Sequence, residues 1–373
     1  MKTAIIGAGS IGLAAALVCQ RAGHSVTVYD PHGFDQKSLS AEIDPRVWAL
    51  GRKSTDLLED LGAWSPDERV SSYQSMHVID ARSDAKVTFS GPLLGHLVEA
   101  DWVRNQLLSQ VVELSIRCIP DRVQSVSDKG ILELQHDQAE ADLVIFAEGR
   151  QAQTAIASGF EVVDGGYRQR AVVGTLKCEQ PHHSEAFQIF TEYGPLALLP
   201  LPDCDNQHRV SLVWSLDLET AAELQECSIK ELALRISQTS EWARGALAFV
   251  DEPIWIPLSQ QFLKHDSLGC LLAIGDTAHG ILPLAGLGAN LGFGDVTALK
   301  QTLEKHLSAQ GDRIARTVAR ERRFEQRTVA MMMGLFSNVF RSDQPLLQLA
   351  RSFALRTADR HATIRSLIQE LAG

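Results

Sequence analysis

Two glycine-rich segments, far apart in the chain, carry the residue types from which a site for an extended, anionic ligand can be built. The later one spans Leu271–Leu299 and reads LLAIGDTAHGILPLAGLGANLGFGDVTAL. Its apolar run Leu271–Ile274 has the character of a buried strand and ends on Gly275-Asp276, so a carboxylate stands at a strand end. A loop with Pro283, Gly286 and Gly288 follows, and from Asn290 onward Leu291, Val296 and Leu299 keep helical spacing. Glycines let the backbone approach a flat ligand closely. The helix N-terminus at Asn290 offers unpaired N–H groups and about half a positive charge to an anion. The earlier segment begins with the short apolar strand Ala4-Ile5-Ile6 and continues Gly7-Ala8-Gly9-Ser10-Ile11-Gly12. A helix follows through Leu13, Ala16, Leu17 and Arg21, then Gly23-His24 and a second strand, Ser25–Tyr29, ending at Asp30. Strand, GxGxxG, helix, strand and acid in this order form a dinucleotide fingerprint. Gly7, Gly9 and Gly12 serve a tight turn, close approach to a pyrophosphate, and close helix–strand packing, and Asp30 accepts from a ribose hydroxyl.

The fingerprint alone does not separate FAD from NAD; the distant Gly275-Asp276 segment does. The string GD-x-AH-x-x-x-P-x-x-G-x-G-x-N resembles the second flavin motif of the aromatic-ring flavoprotein monooxygenases, and within them the ubiquinone-biosynthesis hydroxylases. RVWALGRKSTDLLEDLGAW (Arg46–Trp64), GPLALLPL (Gly194–Leu201), SLVWS (Ser211–Ser215) and RSDQPLLQLAR are similar to the same family, so the resemblance covers nearly the whole chain. It implies FAD as cofactor, with Asp276 on the ribityl chain and Pro283 to Asn290, Ala289 included, along the isoalloxazine ring. It implies that Arg46 lies beside the flavin. It further implies NAD(P)H as reductant, O2 added at flavin C4a, and transfer of the terminal oxygen to an aromatic, phenolic substrate, prenylated or not. No catalytic base is identified; His279 either braces the loop or moves a proton.

The chain departs from the family pattern at three places. Leu287 stands where Gln is usual. Ala100-Asp101-Trp102 opens a helix where a polar residue normally meets the cofactor. The segment Ala147–Ala155, AEGRQAQTA, has Glu148 for the family's Asp, and Ala152 and Ala155 for its Ser and Arg, in a region that serves both flavin and nicotinamide. Arg150 is a cation from another position.

These residues need a scaffold, and its class is legible. The 373 residues, with 45% hydrophobic content, suffice for one large or two modest soluble domains. The alternation of strand and helix in both glycine segments predicts an α/β fold. The expectation is a Rossmann-like FAD-binding domain with an inserted antiparallel β-sheet substrate domain and C-terminal helices. The FAD-binding part is assigned to 1–72, 96–165 and 262–305, the substrate part to 73–95 and 166–261, and the C-terminal helical region to 306–373. Tyr73–Phe89 alternates as a hairpin, Glu99–Val112 and Cys227–Ala248 have helical spacing, and the β-rich runs of Gly166–Leu216 suggest an antiparallel sheet. On that sheet Tyr193 and Trp214 are candidate substrate contacts, with ordinary sheet packing as the other reading. The pair His182-His183 belongs to a turn, because adjacent strand residues face opposite ways and cannot share a metal.

Composition excludes several classes. A net charge of −11 argues against a nucleic-acid binder. The six cysteines form no CxxC pair and no metal spacing, which fits reduced thiols in the cytoplasm. No apolar run reaches the roughly 20 residues of a membrane span, and Gly7 interrupts the first run too early for a signal peptide. Charge is uneven: from Arg313 onward 11 Arg face 5 acidic residues, a net of +6. That balance, with the apolar segments Met331–Phe340 and Leu346–Leu355, predicts either a helical lid or peripheral contact with the inner face of a membrane. Two rival functions stay open at this point: a flavin reductase or oxidase without hydroxylation, and a non-catalytic subunit of a biosynthetic complex.

Overall fold

Strands apolar on both faces must be covered on both faces, and Ala4-Ile5-Ile6 becomes the centre of such a sheet in the computed structural model. The structure describes residues 1–40, 42–83, 85–280, 287–306, 309–323 and 326. The chain runs β1 (Lys2–Ile6), α1 (Ser10–Arg21), β2 (Ser25–Tyr29), β3 (Val47–Leu50), α2 (Arg52–Asp60), β4 (Ser71–Asp80), β5 (Ala85–Glu99), α3 (Ala100–Glu113) and β6 (Arg117–Ile119). A small antiparallel sheet of β7 (Val123–Val126), β8 (Ile131–Leu134) and β9 (Gln138–Glu140) precedes β10 (Leu143–Phe146) and α4 (Gln153–Ala157). Then come β11 (Val162–Cys178), β12 (Glu185–Phe190), β13 (Pro195–Pro200), β14 (His208–Leu216), α5 (Leu218–Gln225), α6 (Ile229–Thr239), β15 (Leu247–Phe249) and β16 (Ile254–Leu263). The last elements among the described residues are β17 (Ser267–Leu268), β18 (Leu271–Ala273), β19 (His279–Gly280), α7 (Leu287–Lys305) and a helix at 311–323, α8.

The first sheet has the order β17-β18-β10-β1-β2-β6, parallel except for the edge strand β17. One face is covered by α1, α3, α7 and α8, whose Leu13, Leu17, Val103, Leu107, Phe293 and Ile314 bury against it. Val126, Leu132, Ala155 and Phe160 cover the other face. The second sheet has the order β19-β16-β11-β14-β13-β12-β4-β5-β3, with β15 added to β11. It is antiparallel apart from the β12–β4 pair. Its outer face packs Leu198, Leu212, Trp214 and Leu216 against Leu224, Leu232 and Ile236 of α5 and α6. The two helices start cleanly: the Asp217 side chain accepts from Thr220 N–H, and Ser228 with Glu231 forms a capping box.

The expected hairpin over Tyr73–Phe89 is the β4–β5 pair. The helix expected over Cys227–Ala248 is shorter. It stops at Thr239, where Glu241 and Trp242 turn to positive φ, and Leu247–Phe249 then pairs with β11. The apolar stripe that suggested a longer helix is therefore split between a helix and an edge strand. The segments Met331–Phe340 and Pro345–Leu355 lie outside the described residues, as do Pro283 and Gly286. No helix among the described residues is long and apolar enough to cross a membrane.

Candidate active site

In an open α/β sheet, ligands bind beyond the carboxyl ends of the strands. The register here puts Ile6 beside Phe146 and Phe146 beside Ala273, so three strands end together. Gly7, Ala147-Glu148 and Ile274-Gly275-Asp276 therefore emerge at one edge. Each glycine of the first loop has its own reason. A Cβ on Gly7 would lie 2.3 Å from Ala147 O, and one on Gly12 would lie 2.0 Å from Gly7 O. A Cβ on Gly9 would meet no atom of the chain within 4 Å, yet Gly9 lines the cavity. Internal packing thus explains Gly7 and Gly12, whereas the open side of Gly9 faces only the cavity. Helix α1 starts there with no side-chain cap, so its first N–H groups face the opening. Asp30 is fixed by accepting from Ala8 N–H at 2.7 Å and His32 N–H at 2.8 Å.

A cavity of about 520 Å³ connects this loop to the second segment. Gly7, Gly9, Asp30, Gly275, Asp276, Gly288 and Ala289 all line it. Gly275 takes φ +60°, a left-handed turn that suits glycine, and its N–H donates to the buried Asp295 at 2.9 Å. Asp276 follows at the cavity wall, where Arg150 Nε donates to it at 3.3 Å. The far end is apolar: Ala197, Leu199 and Val213 of the second sheet form a floor, and Val47 and Trp48 form a wall. Trp48 is set by an edge-on contact with Phe293, centroids 6.3 Å apart.

The other expected residues fall elsewhere. Asn290 ties α7 to α2: its carboxamide oxygen accepts from Gly51 N–H (3.0 Å) and Ser54 Oγ–H (2.7 Å), and its Nδ2 donates to Ala49 O (2.8 Å). It supplies the cap that α2 lacks from its own N-cap Gly51. Arg46 pairs with Asp44 at 2.7 Å, and Asp101 lies 3.8 Å away; it does not line the cavity. Tyr193 is 40% exposed on a turn, while Trp214 is 2% exposed on the outer face of the sheet. Strand alternation explains the latter, since Val213 faces the cavity and its neighbour must face away.

Glu148 lies in the cavity wall with its carboxylate engaged by α4. It accepts from the N–H groups of Thr154 (3.0 Å) and Ala155 (2.7 Å) and so caps α4. The extra methylene over Asp makes that reach. Ala152 and Ala155 are both fully buried against the first sheet, so a polar or cationic side chain at either position would be buried with it. Residues that sequence reasoning missed include Trp48 and the floor Ala197, Leu199 and Val213; the floor strands are buried on both faces, so no signal in GPLALLPL or SLVWS marked which residues face the cavity.

Behind the second segment lies a buried charge cluster. Asp295 Oδ2 accepts from His279 Nε2 at 2.6 Å, and Oδ1 accepts from Arg322 Nε at 2.8 Å. Burial alone would lower the His279 pKa, but the Asp295 charge and hydrogen bond outweigh it and the pKa is raised. Burial likewise works to raise the Asp295 pKa, and His279 with Arg322 holds it well below the usual carboxylate range. Among the described residues no group of three His, Cys, Asp or Glu could hold a metal.

The donor set fits an FAD. A glycine cradle open at Gly9, a bare helix N-terminus, and the carboxylates of Asp30 and Asp276 suit a pyrophosphate between two polyhydroxylated arms. The FAD binding domain family matches residues 122–332, more than half of the chain. Among curated relatives, the chain is 28% identical to 3-demethoxyubiquinol 3-hydroxylase of Escherichia coli, covering 98% of this chain and 96% of that one. It is 29% identical to ubiquinone hydroxylase UbiL of Rhodospirillum rubrum, over 80% of this chain and 71% of the relative. Among solved structures, a mutant of 2-methyl-3-hydroxypyridine-5-carboxylic acid oxygenase superposes with a TM-score of 0.74 at 15% identity, over 92% of this chain and 93% of that one. The flavin-dependent brominase Bmp2 superposes at 0.77 and 13% identity, over 100% and 93%. At such identities these two share the fold alone.

Proposed function

We propose, for a chain that belongs to the FAD binding domain family, that it hydroxylates an aromatic, phenolic ring with O2 and NAD(P)H in ubiquinone biosynthesis. The observation that carries this reading is the single cavity with a polar end at Gly9 and Asp30 and an apolar end at Ala197, Leu199 and Val213. FAD, when bound, supplies the activation of O2 and the oxygen transfer. The chain supplies placement and charge. The α1 N-terminus and Asp30 hold the dinucleotide arm, and Asp276 holds the ribityl hydroxyls. The start of α7, where Gly288 and Ala289 line the cavity, would present backbone N–H groups and a positive helix end to the cofactor's ring and would stabilise negative charge there. Ala197, Leu199 and Val213 offer an aromatic ring a dry floor, and Trp48 a flat wall. Water exclusion there favours transfer to substrate over loss of peroxide.

The E. coli and R. rubrum relatives, named as a 3-demethoxyubiquinol 3-hydroxylase and a ubiquinone hydroxylase, support a ring of the same class, prenylated or not. The +6 balance from Arg313 onward supports peripheral contact of the C-terminal region with anionic lipid at the inner face of a membrane, in a cytoplasmic protein. The test is the absorbance spectrum of the purified protein, followed by NAD(P)H oxidation with candidate phenols and product mass under 18O2. A substrate heavier by one labelled oxygen is expected. NAD(P)H oxidation that yields only peroxide would make the protein a reductase or oxidase. A protein that takes up no flavin would be a non-catalytic subunit.

A further inference from the structure

Helix α7 contains Gly292 and Gly294, and interior glycines weaken a helix. The structure gives each a use. A Cβ on Gly292 would lie 2.8 Å from Ile11 Cδ1, at the start of α1. A Cβ on Gly294 would lie 2.5 Å from Arg322 Nη2. Arg322 belongs to α8, and the notch at Gly294 admits its guanidinium to a position only 7% exposed. From there Nε donates to Asp295 Oδ1 at 2.8 Å and Nη2 to Leu291 O at 3.2 Å. Gln326 Nε2 donates to the same Oδ1 at 3.1 Å. The other oxygen, Oδ2, accepts from His279 Nε2 at 2.6 Å and from Gly275 N–H at 2.9 Å. Four donors converge on one carboxylate that is 1% exposed. One of the four is the backbone of the turn that carries Asp276. No residue of α8 lines the cavity.

We propose that Arg322 and Asp295 are positioning residues for the cofactor, through which helix α8 holds the Gly275-Asp276 turn in its binding geometry. This rests on the flavin reading of the cavity. The argument is electrostatic. Asp295 can grip Gly275 N–H as a buried anion only while cations balance it, and Arg322 is the one that stays charged at every pH of interest. Without Arg322 the carboxylate takes up a proton or draws in water, and the grip on Gly275 loosens. By linkage the effect is reciprocal: whatever α8 contributes to FAD affinity, bound FAD returns to the docking of α8.

Hydrogen exchange on the wild-type full chain, with and without FAD, reads this directly. Slowing is expected at 7–12 and 274–278, which flank the cavity, and also at 311–323, by about fivefold or more. Helix α6, on the far face of the second sheet, is the reference for any global stabilisation. Protection at the cavity with α8 no more protected than α6 would overturn the proposal and leave the flavin reading standing. Protection nowhere would remove the flavin reading as well. A second arm titrates FAD into folded variants. Arg322→Met should raise the Kd about fivefold to a hundredfold, and Arg322→Lys, which keeps the charge, should recover part of the loss. In an Asp276→Ala background Arg322→Met should cost less than about twofold, because coupled sites are not additive. A folded Arg322→Met protein with wild-type FAD affinity would refute the coupling, and full additivity with Asp276→Ala would show that Arg322 acts elsewhere. If the variant does not fold, the wild-type exchange experiment still decides.

Discussion

Replacing Gly9 by alanine separates the cofactor role of the first loop from its role in the fold. Gly9 is the N-cap of α1 at φ −73° and ψ 173°, extended backbone that alanine adopts without strain. The new methyl would touch nothing within 4 Å. Stability should change little, because alanine gains about 0.4–1 kcal/mol through the unfolded state and loses a few tenths or more as a poorer N-cap. Ligand binding is a different matter. On the proposed reading the methyl would stand between a phosphate oxygen and the α1 N–H groups, and a lost charge-assisted hydrogen bond is worth about 1.5–3 kcal/mol. At 1.4 kcal/mol per decade that is a rise in FAD Kd of about tenfold to 150-fold. Gly12→Ala should behave the opposite way. Its Cβ would sit 2.0 Å from Gly7 O, a backbone atom that cannot step aside, so the apoprotein should lose about 1–3 kcal/mol or more. The assay pairs urea unfolding of the apoprotein with FAD titration followed by flavin fluorescence. Wild-type FAD affinity in Gly9→Ala, or unchanged apoprotein stability in Gly12→Ala, would refute the division of labour.

Other outcomes follow from the same geometry. Asp276→Ala should weaken FAD retention about tenfold to a hundredfold through loss of a charged acceptor, measured by equilibrium dialysis; unchanged retention would remove Asp276 from the site. Glu148→Ala should cost about 0.5–2 kcal/mol in urea unfolding by uncapping α4 and leave FAD affinity nearly unchanged, and a large loss of affinity instead would mean that Glu148 serves the ligand. Ala155→Arg, which restores the family's residue, should destabilise by about 3–5 kcal/mol because it buries an unpaired charge; a stable Ala155→Arg protein would contradict the burial at α4. His279 has a raised pKa in the fold, so its contribution is fully present below the ordinary value of about 6.5 and is lost as pH rises through the folded value. Melting temperature should therefore fall more steeply toward alkaline pH in the wild type than in His279→Gln, and parallel curves would refute a charged His279.

What could be read from the sequence was local, and what could not was long-range. Gly7, Gly9, Gly12 and Asp30 sit within one strand–turn–helix–strand unit, so their spacing alone implies their geometry. Gly275 and Asp276 are equally legible, because the strand before them is short, apolar and ends on glycine. Asn290 has the right place in the motif, but its partners are Gly51, Ser54 and Ala49, and nothing in the spacing names them. The departure at Glu148 was visible while its consequence was not, since only the fold shows α4 within reach of the longer side chain. Trp214 illustrates a different limit. In SLVWS both faces of the strand are buried, so alternation offers two phases and the residues give no reason to choose between Trp214 and Val213. Arg322 was counted only as part of a basic tail, whereas the glycine that admits it lies in another helix.

The strand order β18-β10-β1 also sets a schedule. β1 pairs with β10, and β10 with β18, so the sheet edge that gathers Gly7 and Asp276 joins the first strand to one some 270 residues later. At about 5–20 residues per second of synthesis, β10 follows β1 after roughly 7–28 s and β18 only after roughly 15–55 s. Between those times β10 presents the edge that β18 will take, and α7 and α8, which will cover the sheet, are not yet made. Such high contact order makes the final closure slow. Flavin capture at an edge that needs β18 is then a late event in the life of each chain.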